Sequence, residues 1–279
     1  MIELVAEGFN FPESPQWSER DGCLYLVDWT ADRVLAWQAG RTRTLFETPG
    51  QGPSGLCQDP SGNLWLCLFS GRKLAVFTPR GEQLGAWADY QASPFRGPCD
   101  LTCDRQGGVY FTDSGDFEDD WRSGRAVGAV YHLVSISSPQ PRRLAGRLHY
   151  PNGIALSLDG SQLYVNEHRK NRTLRYTIGT DGALSDRRVF YSYDADCLLD
   201  APQAFELGPD GMCVDDQDCL FVAHYGGGKV LRISPQGELL QTIRLPRGRK
   251  PTSAAYHAAE QAIYITEAEF GLLHKIMLD

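Results

Sequence analysis

The chain has 279 residues, 42% of them hydrophobic and 22% charged, with a net charge of −8. That acidic balance argues against a nucleic-acid partner, since phosphate binding is driven by clustered Lys and Arg; the one dense basic run, Arg247-Gly248-Arg249-Lys250, reads as a solvated loop. No apolar run approaches the roughly 18 residues of a membrane helix. The start, MIELVAEGFNFPES, carries acids where a secretory signal has a basic stretch and an apolar run. A cytoplasmic protein with no membrane partner is expected.

In chain order, Pro12 opens PESPQWSERDGCLYLVD and Pro53 opens PSGLCQDPSGNLWLCL. Pro98 follows with PCDLTCDRQGGVYFTD, and Pro151 with PNGIALSLDGSQLYVNE. Pro209 opens PDGMCVDDQDCLFVAH, and Pro251 opens PTSAAYHAAEQAIYITE. Each unit starts on proline, runs through a short apolar strand and usually turns on Asp, Gly, Ser or Asn. It then enters a second strand rich in Leu, Val, Tyr and Phe, which is the pattern of a β-hairpin.

The prolines are spaced by 41, 45, 53, 58 and 42 residues. Further strand pairs, such as LRYTIGTDGALSDRRVFY and KVLRISPQGELLQTIRL, fill the gaps. The expected fold is all-β, a six-bladed β-propeller of four-stranded antiparallel blades, with residues 1–279 as one domain. Closure into a ring removes the long open sheet edge. Two β-sandwiches would not explain six matching units.

Eight cysteines are present, but no CxxC pair, so the zinc-ribbon and thioredoxin spacings are absent. Cys23, Cys57, Cys67, Cys103, Cys213 and Cys219 lie in or beside strand-like runs and read as small, free, buried hydrophobes.

Taken alone, Pro151-Asn152-Gly153 is ordinary turn chemistry. The repeat makes Asn152 one member of a ring. In a propeller the first strand of each blade lines the central channel, so the residue after each repeat proline approaches the axis at one face. Those residues are Glu13, Ser54, Cys99, Asn152, Asp210 and Thr252. Convergent polar groups at a channel mouth mark a small-molecule or metal site. Glu13, Asn152 and Asp210 offer oxygen ligands suited to one hard divalent cation. Calcium fits the set, with zinc, manganese and ferrous iron as alternatives. A second ring, at the ends of the second strands, is read as Asp28, Phe69, Asp113, Glu167, His224 and Glu267. Within it, Asp113 and His224 are candidates to orient a ligand or move a proton, or simply to hydrogen-bond at the rim. Glu118, Asp119, Asp120 and Trp121 fall in a long third-blade loop placed to cover the channel. Gly226-Gly227-Gly228 reads as a tight turn, lacking the helix and lysine of a phosphate loop.

The chain resembles the SMP-30/gluconolactonase family of six-bladed propellers over essentially its whole length. The most specific elements are FPESPQW, GPCDLTCDRQGGVYFTDSG, YPNGIALSLDGSQLYV, GPDGMCVDDQDCLFVAHYGGGKV and AIYITEAEFG. The resemblance implies one axial cation held by Glu13, Asn152 and Asp210, and hydrolysis of sugar-acid lactones by cation-activated water. It also implies Asp210 as the proton acceptor. The family commonly carries Asn where this chain has Cys99, and amides near Ser54 and Ser253. Cys99 is therefore open to three readings: a thiolate ligand favouring zinc or iron, a nucleophile, or a neutral thiol reshaping the pocket. Ser54 and Thr252 stand with it as substrate-facing candidates.

The rival from another class is a propeller that binds metal or ligand without turnover. Hydrolysis of another ester is a further alternative. Strictosidine-synthase-like propellers share PNGIALSLDGSQLYV and YFTDS but generally lack the metal triad, which argues against their chemistry here.

Overall fold

The computed structural model describes residues 2–193 and 206–278. Six four-stranded antiparallel sheets form the blades of a β-propeller, as the repeat predicts. The first blade runs Pro12–Ser18, Cys23–Asp28, Arg33–Gln38 and Arg41–Glu47. The other inner strands are Pro53–Gln58, Pro98–Cys103, Pro151–Leu156, Gly208–Val214 and Pro251–His257. They neighbour one another in cyclic order around the axis. The ring closes in the sixth blade, where the N-terminal strand Ile2–Glu7 pairs antiparallel with Leu272–Met277.

The second strands explain why the sequence is apolar there without alternation. CLYLVD is buried at every position of Cys23–Asp28. Successive side chains of a strand point to opposite faces of its sheet, and here each face meets a different neighbouring blade. Leu24 and Leu26 pack into the cluster shared with the sixth blade, whereas Tyr25 and Val27 pack into the one shared with the second. In the fourth blade Leu163 and Val165 face the third, and Tyr164 faces the fifth. Each junction between blades has such a cluster. Outer strands such as Arg41–Glu47 are mostly exposed and correspondingly polar.

Every inner strand carries one extra residue relative to its second strand immediately after the repeat proline. Such a bulge bends the strand and re-aims its side chains. It also leaves backbone carbonyls without a ladder partner, and buried carbonyls require donors. Side chains of adjacent blades supply them. Ser14 Oγ donates to the Ser54 carbonyl (2.9 Å) and Ser54 Oγ to that of Cys99 (2.8 Å). Thr112 Oγ1 donates to the Asn152 carbonyl (2.9 Å), Asn166 Nδ2 to that of Asp210 (2.5 Å) and Thr252 Oγ1 to that of Pro12 (2.7 Å).

One expectation is corrected. Cys57 and Cys103 are not free thiols but form a disulfide between the inner strands of the second and third blades. Cys23, Cys67, Cys99, Cys213 and Cys219 are free. Spacing gave no sign of the bond, because its partners are brought together only by blade stacking. Among the described residues no helix is long and apolar enough to cross a membrane.

The disulfide closes a segment with a sequence separation of 46 residues. Constraining a loop of that length in the unfolded chain stabilises by about 2–4 kcal/mol. Reductant, or the double change Cys57→Ser and Cys103→Ser, should therefore lower the urea midpoint by the corresponding amount. An identical midpoint in oxidised and reduced protein would contradict the bond.

Candidate active site

Each end of the channel holds a cavity. The carboxy-terminal ends of the inner strands surround a wide mouth of about 1000 Å³, beside which the disulfide lies. At the opposite end, where the bulges are, there is a smaller cavity of about 260 Å³. Glu13, Ser54, Cys99, Asn152 and Asp210, each the residue after a repeat proline, form its floor.

The floor is tightly connected. Asn152 Nδ2 donates a short hydrogen bond to Asp210 Oδ1, and the Cys99 thiol donates to Asn152 Oδ1 at 3.3 Å. Gly153 follows Asn152 because the next blade leaves no room there: a Cβ would run into the Asp210 carbonyl and the Asn166 amide. The Asp210 backbone is pinned in turn by Asn166, whose Oδ1 accepts from Thr173 Oγ1 at 2.6 Å.

Electrostatically the floor is a cluster of carboxyls. Burial pushes Glu13 well above the usual carboxylate range, and the nearby Asp210 and Asp100 push it further. Asp210 is also raised, by burial and by Asp100, against the lowering effect of the Asn152 hydrogen bond. No Lys or Arg lines the cavity among the described residues. Two carboxylates and an amide lining one small cavity without a Lys or Arg are donor types suited to a hard divalent cation; the Asn152 amide presents Nδ2 to Asp210 and Oδ1 to Cys99, so all three would offer oxygen to one ion only with the amide turned over. Cys99 stays a neutral thiol: burial and the Glu13 charge raise it well above its ordinary value, against a lowering hydrogen bond with Ser114. That favours the pocket-shaping reading over thiolate or nucleophile.

The remaining candidates sit elsewhere. Ser54 borders the cavity, but its hydroxyl is given to the Cys99 carbonyl. Thr252 is buried outside it, donating to the Pro12 carbonyl and bonded to Thr266 Oγ1 at 2.7 Å. Asp113 accepts the backbone N–H of Gly97 (2.7 Å) and Arg96 (3.1 Å). Asp28, Glu167 and Glu267 likewise accept from Phe11, His149 and Lys250. These acids clamp the segment entering their own blade's inner strand and do not face the cavity. His224 meets Asn171 Oδ1 at 2.9 Å, and burial lowers it to about 3, so it is a neutral imidazole between blades.

Phe69 does not belong to that ring of acids. Pro53 pairs with Leu68, so Phe69 is one residue further on. The equivalent residues in other blades include Trp29, His168 and Tyr225, and all four line the cavity. Sequence reasoning missed this outer ring, although shifting the repeat alignment by one residue would have found it. It also missed Tyr150 and Asp100. Tyr150 precedes Pro151 in a left-handed backbone conformation (φ 56°) and lines the wall. In the third-blade loop a helical turn, Phe117–Trp121, covers the channel, and Phe117 and Trp121 join the lining. Asp120 is buried beneath, paired with Arg96 (2.7 Å) and Arg125 (3.1 Å). The side chains of Glu118 and Asp119 lie outside the described set.

Fold and floor together define a β-propeller with an acid-floored, aromatic-walled cavity at one end of its axis. The chain belongs to the SMP-30/gluconolactonase/LRE-like family, whose profile matches residues 11–269. A regucalcin from Danio rerio is 30% identical over 96% of this chain and 86% of its own length. A gluconolactonase from Zymomonas mobilis is 26% identical over 95% of this chain and 78% of its own. Among solved structures, a gluconolactonase from Xanthomonas campestris superposes with a TM-score of 0.83 at 26% identity, covering 100% of this chain and 89% of that one.

Asp100 lies below the floor and provides a pH test. Burial raises its carboxyl from 3.8 to about 7, although bonds from the Leu101 and Ile154 amides and from Ser14 oppose the shift. A raised folded value means stability is fully present below the unfolded pKa and lost as pH rises through the folded one. In chelator, Asp100→Asn should therefore gain melting temperature relative to wild type as pH rises from about 4 to about 8. A difference independent of pH would contradict a buried, proton-retaining Asp100.

Proposed function

We propose that the protein is a hydrolase that opens a lactone with the help of one divalent cation held by Glu13, Asn152 and Asp210. The observation carrying this reading is that Glu13, Asn152 and Asp210 line one small cavity, two of them carboxyls raised by burial, with no Lys or Arg in its lining among the described residues. The gluconolactonase relatives support the reaction class, and make a sugar-acid lactone the first substrate to try. Oxygen donors beside a neutral Cys99 support calcium or manganese ahead of zinc or ferrous iron, and the regucalcin relatives make calcium the first ion to try.

When bound, the cation polarises the ester carbonyl and stabilises charge developing on oxygen. The chain supplies the rest. Asn152 holds Asp210 Oδ1 through its amide, leaving Oδ2 to take the proton of an attacking water. The water oxygen bonds to the carbonyl carbon, the ring C–O bond breaks and the proton passes to the departing ring oxygen. The product is a hydroxy acid.

The test is acid release, read by pH indicator, from five- and six-membered lactones after chelator stripping and separate reloading with each metal, with spontaneous opening subtracted. Activity should vanish on stripping and return with one ion. Asp210→Ala should lose metal binding and turnover together, with kcat/KM down at least about a hundredfold. Full metal occupancy and full rate in that variant would refute the assignment. Stoichiometric metal binding with no turnover of any lactone would favour a binding protein.

A further inference from the structure

The cavity wall differs in character from its floor. The Trp29, Phe69 and Phe117 rings touch one another, with centroids 5.2 to 5.7 Å apart. Phe117 also meets Trp121 at 5.8 Å, and Trp121 meets Tyr150 at 4.6 Å. These rings come from the first four blades and form one continuous apolar face. Phe69 and Tyr150 are buried within it, but Phe117 is 37% exposed and presents an open ring face.

The polar groups lie on the floor and along the rest of the lining, where Glu13, Asp210 and Glu206 carry carboxylates, Tyr150 and Tyr225 hydroxyls and His168 an imidazole. Ser54 has given its hydroxyl to the Cys99 carbonyl, Cys99 its thiol to Asn152, and Asn152 its amide to Asp210. No Arg, Lys or Gln lines the cavity among the described residues. A hydroxyl laid against the Phe117, Phe69 and Trp29 ring faces would lose water without gaining a partner there, which costs on the order of tenfold in affinity. An alkyl group laid on the same rings gains about fourfold per buried methylene.

We infer that Phe117, backed by Trp29, Phe69 and Trp121, selects lactones bearing an alkyl or aryl substituent over polyhydroxylated ones. The inference rests on the hydrolase reading for the fate of the substrate, and departs from its sugar-acid expectation. Its binding component does not depend on turnover. Phe117 is the determinant to test because it reaches the cavity lining from a loop and is the most exposed of these rings.

Calcium-loaded full-length protein would be assayed on δ-valerolactone, its 6-butyl derivative and D-glucono-δ-lactone. The butyl compound should exceed the sugar lactone at least tenfold in kcat/KM. Phe117→Ala should lower the butyl value about tenfold, mainly through KM, and lower the unsubstituted δ-valerolactone value by a clearly smaller factor; Phe117→Tyr should recover most of the loss. A preference for the sugar lactone, or an equal loss on all three substrates, overturns the inference. Binding of 2-butylcyclohexanone, which has no ester to cleave, would be followed by tryptophan fluorescence alongside sorbitol. If the ketone binds, sorbitol does not and Phe117→Ala weakens the ketone, while no lactone opens, the hydrolase reading fails and the selectivity stands. If lactones open without preference and the two probes bind alike, the selectivity fails and the hydrolase reading stands.

Discussion

A bulge in a buried strand frees a carbonyl, and a freed carbonyl in a dry interior must find a donor. In this propeller that constraint falls at the same place in every blade, one step past the repeat proline. Its solution joins neighbouring blades: Ser14, Ser54, Thr112, Asn166 and Thr252 each donate to a carbonyl of the next blade in the ring. The side chains projecting from the bulges are consequently held by bonds that run around the axis. Asp210 illustrates the chain of support, from Thr173 through Asn166 to its own backbone. Ser54 and Thr252 occupy ring positions yet serve as donors in this belt, which is why polarity alone did not identify them as structural.

The same rigidity permits an otherwise unfavourable arrangement of charge. Three carboxyls, Glu13, Asp100 and Asp210, are buried close together: Asp210 and Asp100 raise the cost of ionising Glu13, and Asp100 raises that of Asp210. A flexible floor would relax by turning them toward solvent. This one cannot, because Gly153 lets the neighbouring strand approach to contact and the Asn152 amide fixes one Asp210 oxygen. Strain of this kind is relieved by positive charge at the axis, so the belt of hydrogen bonds and the donor set are two aspects of one device.

Much of this was legible in the sequence, for identifiable reasons. Proline followed by an apolar strand, a turn and a second strand recurs six times, and only a ring of blades uses six such units. Counting from the prolines also found Glu13, Asn152 and Asp210, because the bulges preserve that count from blade to blade. The second strands were harder. LWLCLFS has no acid to mark its end, so Phe69 was aligned with Asp28 and Asp113 when Leu68 is their equivalent. That single slip hid the ring of Trp29, Phe69, His168 and Tyr225. The roles of Asp28, Asp113, Glu167 and Glu267 were equally invisible, since an acid that caps its own loop and an acid that faces a ligand have the same spacing. The Cys57–Cys103 bond depends on contact between blades, which no local pattern encodes.

The division between floor and wall assigns chemistry and selectivity to different parts of the chain. Floor residues project from inner strands whose carbonyls belong to the interblade belt, so exchanging them disturbs packing as well as ligand geometry. Wall residues stand just past strand ends or, as Phe117 and Trp121 do, on a loop. Loops tolerate change at little cost to the core. A propeller of this design can therefore keep its axial donors and alter what it admits through a few aromatic positions. Cys99 sits where the two regimes meet: its backbone is in the belt, while its neutral thiol offers one weak donor where an amide would offer two strong ones. That thiol is already given to Asn152 Oδ1, so Cys99 ties the belt to the floor's own hydrogen-bond chain.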